Sequence, residues 1–104
     1  MGDYKKLRVW EEACKFADRV EQMARQLPQP ERRWAFDQLV RAAHSIHENL
    51  AEGWGFDSDP QRLKYCRQAL STGNESEDQL LTLERKRLLQ RGFVTLPREA
   101  RAGC

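Results

Sequence analysis

Apolar residues recur at every third or fourth position through each long segment of this 104-residue chain. In the first segment they step by four and three from Val9 to Leu27, as in a heptad repeat. This spacing places them along one face of an α-helix, whereas a half-buried β-strand would alternate apolar and polar residues. The pattern therefore predicts an all-α protein.

Proline and glycine residues mark the ends of the first two helices. Pro28 and Pro30 end the first helix, because proline lacks the N–H donor and its ring clashes with the preceding turn. Pro30 can also open the second helix, which is predicted to run to about Glu52. We expect Gly53 to end it, since glycine readily takes the left-handed conformation that closes a helix.

The third helix has a well-defined start. Ser58 or Asp59 is expected to cap it, with Pro60 at the first helical position. Gly73 lowers helix propensity in its middle by roughly 1 kcal/mol. The apolar spacing keeps its phase across that glycine as far as Leu83, so we predict one continuous helix.

The chain has room for a single domain. We predict a helical bundle over residues 1–92, in which the helices run up, down and up, followed by a short basic tail over residues 93–104. A second apolar row, from Trp10 to Ala24, widens the buried face of the first helix beyond what a three-helix monomer can cover. Self-association into a homo-oligomer would cover it.

The composition argues against membrane insertion and secretion. Charged residues make up 33% of the chain and mean hydropathy is −0.84. No apolar run approaches the ~18 residues that a spanning helix needs, and the first twenty residues lack the apolar stretch of a secretory signal. We therefore expect a cytoplasmic protein whose three cysteines are reduced thiols.

Charge is unevenly distributed along the chain, although the formal net charge is only +2. From Glu84 onward there are six basic residues and two acidic ones, and a second basic group lies near the start. Such groups can hold phosphate by Coulomb attraction and counterion release, although basic tails are often plain solvated surface. The predicted nucleic-acid-binding residues are Lys5, Lys6, Arg8, Arg85, Lys86, Arg87 and Arg91.

Residues that could carry chemistry are few. His44 and His47 lie three apart on the second helix, but a zinc site would still lack its third and fourth ligands. Ser45 has no glycine-rich elbow before it, and the sequence contains no phosphate-cradling glycine loop. We expect a protein that is not an enzyme and that holds no metal or cofactor.

A row of polar residues lies on or next to the buried stripe of the second helix. We expect hydrogen bonds from this row to the third helix, for example from Arg41 to Glu75 or Glu77. A ligand site is the alternative, but a network that fixes helix register is favoured. The predicted structural polar network comprises Gln38, Arg41, Ser45, Asn49, Glu52, Glu75 and Glu77.

Three ordered motifs carry a family resemblance. The stretch AFDQLVRAAHSIHENLAEGWG (Ala35 to Gly55) resembles the signature of the four-helix-bundle proteins encoded in intervening sequences of bacterial large-subunit ribosomal RNA genes. The opening YKKLRVWEEA (Tyr4 to Ala13) and the stretch ALSTGNESEDQL (Ala69 to Leu80) are similar to two further motifs of that family. This resemblance implies a four-helix-bundle fold, here with three long helices and a short or missing fourth.

The resemblance also carries expectations about function. Relatives include the accessory variability determinant proteins of diversity-generating retroelements. The family implies ring-like homopentamers with a basic surface, and its retroelement members bind a reverse transcriptase and nucleic acid. We therefore predict a non-catalytic, self-associating scaffold that presents basic residues to RNA, to DNA or to an RNA-handling partner such as a reverse transcriptase. The alternative is a purely structural or protein-binding oligomer.

Overall fold

A computed structural model describes residues 3–92 and 94–96 of the chain. The described part is all-α, as predicted, and contains three long helices and no strand. A fourth long helix is not present within these residues. The elements are a 3₁₀ turn over Tyr4–Lys6, α1 over Arg8–Ala24, α2 over residues 31–54 and α3 over Asp59–Arg85.

Helix α1 follows the predicted heptad stripe. Asp3 caps the preceding 3₁₀ turn, since one of its carboxylate oxygens accepts a hydrogen bond from the Lys5 backbone N–H at 3.0 Å. This cap fixes the direction in which the chain enters α1. The buried residues of α1 are Ala13, Phe16, Ala17, Val20, Met23 and Ala24.

Helix α2 is built from three consecutive segments. An α-helical turn over Glu31–Trp34 leads into a π-helical segment over Ala35–Val40, and an α-helix over Arg41–Trp54 follows. Trp34 and Arg41, at the two joints, both have right-handed helical torsion angles. The helix is therefore continuous, and the π segment changes its winding without breaking it.

The expectation that Gly53 ends α2 is wrong. The helix continues to Trp54, and Gly55 caps it with a right-handed φ of −73°. Gly53 is buried inside the helix, and a Cβ atom at this position would lie only 2.9 Å from the Cβ of Tyr65. The glycine is needed because α3 passes very close to α2, which local sequence alone does not reveal.

Helix α3 is continuous through Gly73, as predicted, but the expected cap is not formed: the Ser58 side chain makes no capping hydrogen bond, and Asp59 rather than Pro60 is the first helical residue. Ser58 precedes it with extended torsion angles, and a proline follows in its first turn. The helix ends at Arg85, where the chain begins a series of turns. Arg87 and Gly92 both have left-handed φ values, 60° and 74°, which are incompatible with a continuing helix.

Helix α2 lies at the centre of the bundle and packs against both α1 and α3. Its Leu39 and Ile46 are fully buried, together with Phe16 of α1 and Leu83 of α3. The bundle measures 44 × 21 × 20 Å. Residues 94–96, which the prediction assigned to the tail, lie in the packed body, because Val94 and Leu96 belong to the core cluster.

Candidate nucleic-acid interface

The up-down-up topology separates the chain into two ends. Helices α1 and α3 run parallel and α2 runs against them, so the last turns of α1 and α3 lie beside the first turn of α2. We call this end, residues 25–34 and 84–92, the basic end. The opposite end, residues 3–12 and 48–67, is called the groove end. The 27 residues of α3 separate the two ends by about 40 Å at 1.5 Å per residue.

The basic end carries a large excess of positive charge. It contains seven basic residues and two acidic ones, Glu31 and Glu84. All seven basic side chains are exposed: Arg25, Arg32, Arg33, Arg85, Lys86, Arg87 and Arg91. The bundle is only about 20 Å across, so these cations are crowded at one end of it. Such a surface attracts anions and releases counterions from a bound polyphosphate.

Short-range hydrogen bonds order parts of this surface. The Arg32 Nε donates to the Leu27 carbonyl at 2.9 Å, which ties the side chain to the loop before α2. The Gly92 N–H donates to a Glu84 carboxylate oxygen at 3.2 Å, which closes the turns after α3. One of the two acidic groups is therefore engaged in holding the backbone.

The groove end is nearly balanced in charge, with six basic and seven acidic residues. Lys5, Lys6 and Arg8 lie here, so the structure does not bring them together with the cations that follow Glu84. The predicted nucleic-acid residues thus form two groups at opposite ends of the molecule. A ligand contacting both groups of one protomer would have to span most of the bundle.

The groove end also holds an apolar cavity of about 550 Å³. It lies where the start of α1, the end of α2 and the start of α3 meet. Its walls consist mainly of carbon, with a few polar groups at the rim. The lining residues are Leu7, Val9, Asn49, Leu50, Gly53, Trp54, Asp59, Pro60, Arg62, Leu63 and Cys66.

The residues of the predicted polar network do not converge. Gln38, Arg41, Glu52 and Glu75 are exposed, while Ser45, Asn49 and Glu77 are half-buried. The Asn49 amide donates to the Ser45 carbonyl at 2.8 Å and lies 3.1 Å from its hydroxyl, so this pair is bonded within α2.

Arg41 is not hydrogen-bonded to Glu75 or Glu77 in the described part of the chain. Its neighbours Val40 and Ala42 are buried, which directs Arg41 outward. On α3, Ser76 faces the core and Glu75 points away from it. The expected bond from α2 to α3 is therefore absent in the described chain, because each partner is one helical step off the buried face.

His44 and His47 lie at the contact between α1 and α2. The His44 Nε2 lies 3.2 Å from a Glu21 carboxylate oxygen, and its Nδ1 lies 3.1 Å from the His47 Nε2. Burial and the neighbouring His44 lower the pKa of His47, whereas hydrogen bonds from Arg25 and His44 lower the pKa of Glu21. This cluster favours a neutral His47 in the folded protein.

The histidines and cysteines also raise the questions of a metal site and of reactive thiols. In the described residues, no three histidine, cysteine, aspartate or glutamate side chains are grouped so that they could hold a metal ion. Cys14 is a free thiol whose pKa is raised by burial and then by Asp18 and Glu11. Cys66 is disulfide-bonded, which corrects the expectation of a reduced thiol there; sequence spacing does not show which thiols meet.

Four residues of the basic end, Arg25 and three others, were not predicted from the sequence. Arg32, Arg33 and Trp34 follow Pro30 directly and read as an ordinary first helical turn. Only the topology places this turn at the same end as Arg85 and the basic residues after it. The sequence does contain a run of two arginines and a tryptophan, but this run indicates a binding surface only when the fold places it near other basic residues.

The fold and charge distribution define a class of protein: a small all-α bundle with one strongly basic end. None of its described helices has an 18-residue stretch apolar enough to span a bilayer. The model of the 23S rRNA-intervening sequence protein family matches residues 5–97, and the chain belongs to that family. This confirms the resemblance indicated by the three motifs. Comparisons with curated proteins and with solved structures found no match.

Proposed function

We propose that this protein is a non-catalytic helical scaffold that uses its basic end to bind RNA or an RNA-handling partner such as a reverse transcriptase. The main support is the set of seven exposed cations against two acidic residues on a surface about 20 Å across. Phosphate contacts dominate the affinity of such surfaces for nucleic acid. A cytoplasmic location, where RNA is available, accompanies this proposal.

Self-association is part of the same proposal. The bundle leaves large apolar side chains exposed on α3, namely Leu63 at 42% and Leu81 at 50%. Contact with further copies of the chain would cover such residues, and a ring of copies, as in the homopentamer expected from the family, would bring several basic ends into one array. Several phosphate-binding ends in one assembly would raise the apparent affinity for a long RNA.

The salt dependence of binding tests the nucleic-acid part. Labelled RNA is titrated with protein at several salt concentrations and followed by fluorescence anisotropy. A logarithmic slope of about −0.7 per phosphate contact on single strands, or −0.9 on duplex, is expected. Affinity for RNA that is immeasurably weak at low salt would contradict the proposal. Light scattering measures the number of copies in the same samples.

A protein-binding module is the second candidate, and the cavity at the groove end favours it. Its apolar walls, which include Leu7, Val9 and Leu50, would suit an apolar side chain of a partner. Binding at this end would respond weakly to salt, because burial of apolar surface rather than ion pairing would drive it. The salt series therefore separates the two candidates.

A further inference from the structure

The three tryptophans of the chain have different surroundings. Trp10 packs against the core, with the Tyr4 ring 5.4 Å away and the His47 ring 6.3 Å away, both edge-on. Trp54 carries the Arg62 guanidinium over its ring at 4.9 Å. Trp34 is 37% exposed, and its ring meets neither an aromatic ring nor a cation within the part of the chain that the structure describes.

Trp34 is not part of the core cluster, although more than half of its surface is covered. The next residue, Ala35, is fully buried, and Leu39 one turn later is fully buried as well. These two side chains hold the first half of α2 against the bundle. Trp34, beside them, leaves 37% of its surface in solvent, which is a large exposed apolar area for a tryptophan.

Trp34 is exposed close to several cations. It follows Arg32 and Arg33 directly and lies at the basic end, the end of the bundle that also carries Arg85 and the cations after it. A surface that combines exposed cations with an exposed aromatic ring suits a flexible strand of nucleotides. The cations follow the phosphates, and the ring stacks on a base.

We propose that the basic end binds single-stranded RNA in preference to duplex, with Trp34 stacking on an unpaired base. Duplex RNA offers phosphates to the same cations, but its bases are stacked on each other and leave no face for the indole ring. This inference rests on the proposed function and narrows it to unpaired RNA, such as a loop, bulge or end.

The test compares two probes and three variants by fluorescence anisotropy. The probes are a 12-nucleotide oligouridylate and a 12-base-pair RNA duplex. Trp34→Leu keeps an apolar side chain without a stacking face, and Trp34→Phe restores an aromatic ring. Leu70→Ala is the matched control, since it removes a partly exposed apolar residue from α3 away from the basic end and outside the cavity.

Trp34→Leu is expected to weaken oligouridylate binding by about 5- to 150-fold, which corresponds to the loss of one stacked base. The affinity for the duplex should change less than about twofold, because contacts with phosphates contribute most of it. Trp34→Phe should recover most of the lost affinity, and Leu70→Ala should bind both probes as the parent does. Quenching of tryptophan fluorescence by oligouridylate should disappear in Trp34→Leu.

Other outcomes overturn the inference in distinguishable ways. If Trp34→Leu binds oligouridylate like the parent while neutralising the cations abolishes binding, the proposed function stands and stacking at Trp34 is refuted. If Trp34→Leu changes the mass seen by light scattering, the ring lies between copies of the chain and is not a base platform. If the parent binds neither probe, the proposed function itself fails.

Discussion

Arginine has different roles at the two ends of this bundle. At the groove end, Arg62 donates from its Nε to the Phe56 carbonyl at 2.6 Å and lies over Trp54, so it joins the loop after α2 to α3. At the basic end Arg32 makes a similar bond to the Leu27 carbonyl, but there all the arginines are exposed and they outnumber the acidic residues. The formal net charge of the whole chain, +2, does not reveal this difference between the two ends. The lesson is that topology, and not overall charge, decides where a chain like this can bind an anion.

The ends also differ in packing. At the groove end α2 and α3 approach so closely that Gly53 has no room for a side chain, and Phe56 stacks on Tyr65 at 5.4 Å. At the basic end the chain leaves α3 through turns with left-handed residues. The groove end is therefore specialised for close helix packing, whereas the basic end exposes cations that can contact a ligand.

The largest expected effect concerns charge at the basic end. Changing Arg85, Lys86, Arg87 and Arg91 to glutamine should weaken RNA binding by about 10- to 100-fold and lower the salt slope by about 0.7 for each lost contact with a single strand. The thermal unfolding midpoint should be unchanged, because these side chains are exposed. Anisotropy and circular dichroism measure the two quantities, and equal affinity would refute the assignment.

The second prediction concerns close packing at the groove end. Gly53→Ala should lower the free energy of unfolding by about 1–3 kcal/mol, since its methyl group would meet the Tyr65 Cβ at 2.9 Å. Gly73→Ala is the matched control in α3. Its new methyl group would meet flexible ends of Leu96 at 3.4 Å and Ile46 at 3.8 Å.

Gly73→Ala should therefore be neutral or stabilise the protein by up to about 1 kcal/mol through helix propensity. Urea denaturation of both variants measures the difference. Equal stability of Gly53→Ala and the parent would show that α2 and α3 are further apart than described, and would remove the packing contrast between the two ends.

The helices were largely predictable from the sequence, whereas the site was not. Apolar spacing and prolines indicate helices because they act within a few residues. The role of Gly53 depends on Tyr65, twelve residues away on another helix, so local patterns suggested a helix end. The basic end combines residues near 32 with residues near 85, and only the path of the chain brings these together. The same reason explains why Lys5 and Arg85 were grouped although they lie at opposite ends.

A third, smaller effect concerns the contact between α1 and α2 at His47, which adjoins the groove end. His47 has a lowered pKa in the folded protein because of burial and the adjacent His44, while Glu48 and Asp18 act in the opposite direction. The folded state therefore binds fewer protons than the unfolded chain, so stability must fall as the pH drops below about 6.5.

Thermal unfolding between pH 7.5 and 5.5 measures this effect. The decrease in midpoint should be larger in the parent than in His47→Gln, which removes the titrating group. An equal decrease of the midpoint in both proteins would show that groups other than His47 cause the pH dependence.

The smallest effect is expected at the cations of the groove end. Changing Lys5, Lys6 and Arg8 to glutamine should alter RNA affinity less than about twofold, because nearby acidic residues balance them. Anisotropy with the same RNA as for the basic-end variant gives a direct comparison. A loss as large as that of the basic-end variant would show that RNA contacts both ends, and would remove the functional distinction between them.

The π-helical segment over Ala35–Val40 has a consequence for how such a surface can change in evolution. A π-helical hydrogen bond encloses one residue more than an α-helical one, and one residue corresponds to about 100° of rotation about the helix axis. The segment therefore sets the direction in which Arg32, Arg33 and Trp34 project, while Ile46 and Leu50 beyond it keep their places in the core. A single-residue deletion within it would turn Arg32, Arg33 and Trp34 about the helix axis relative to Ile46 and Leu50, but it would also displace Ala35 and Leu39 from the core, so the direction of this surface is tied to core packing.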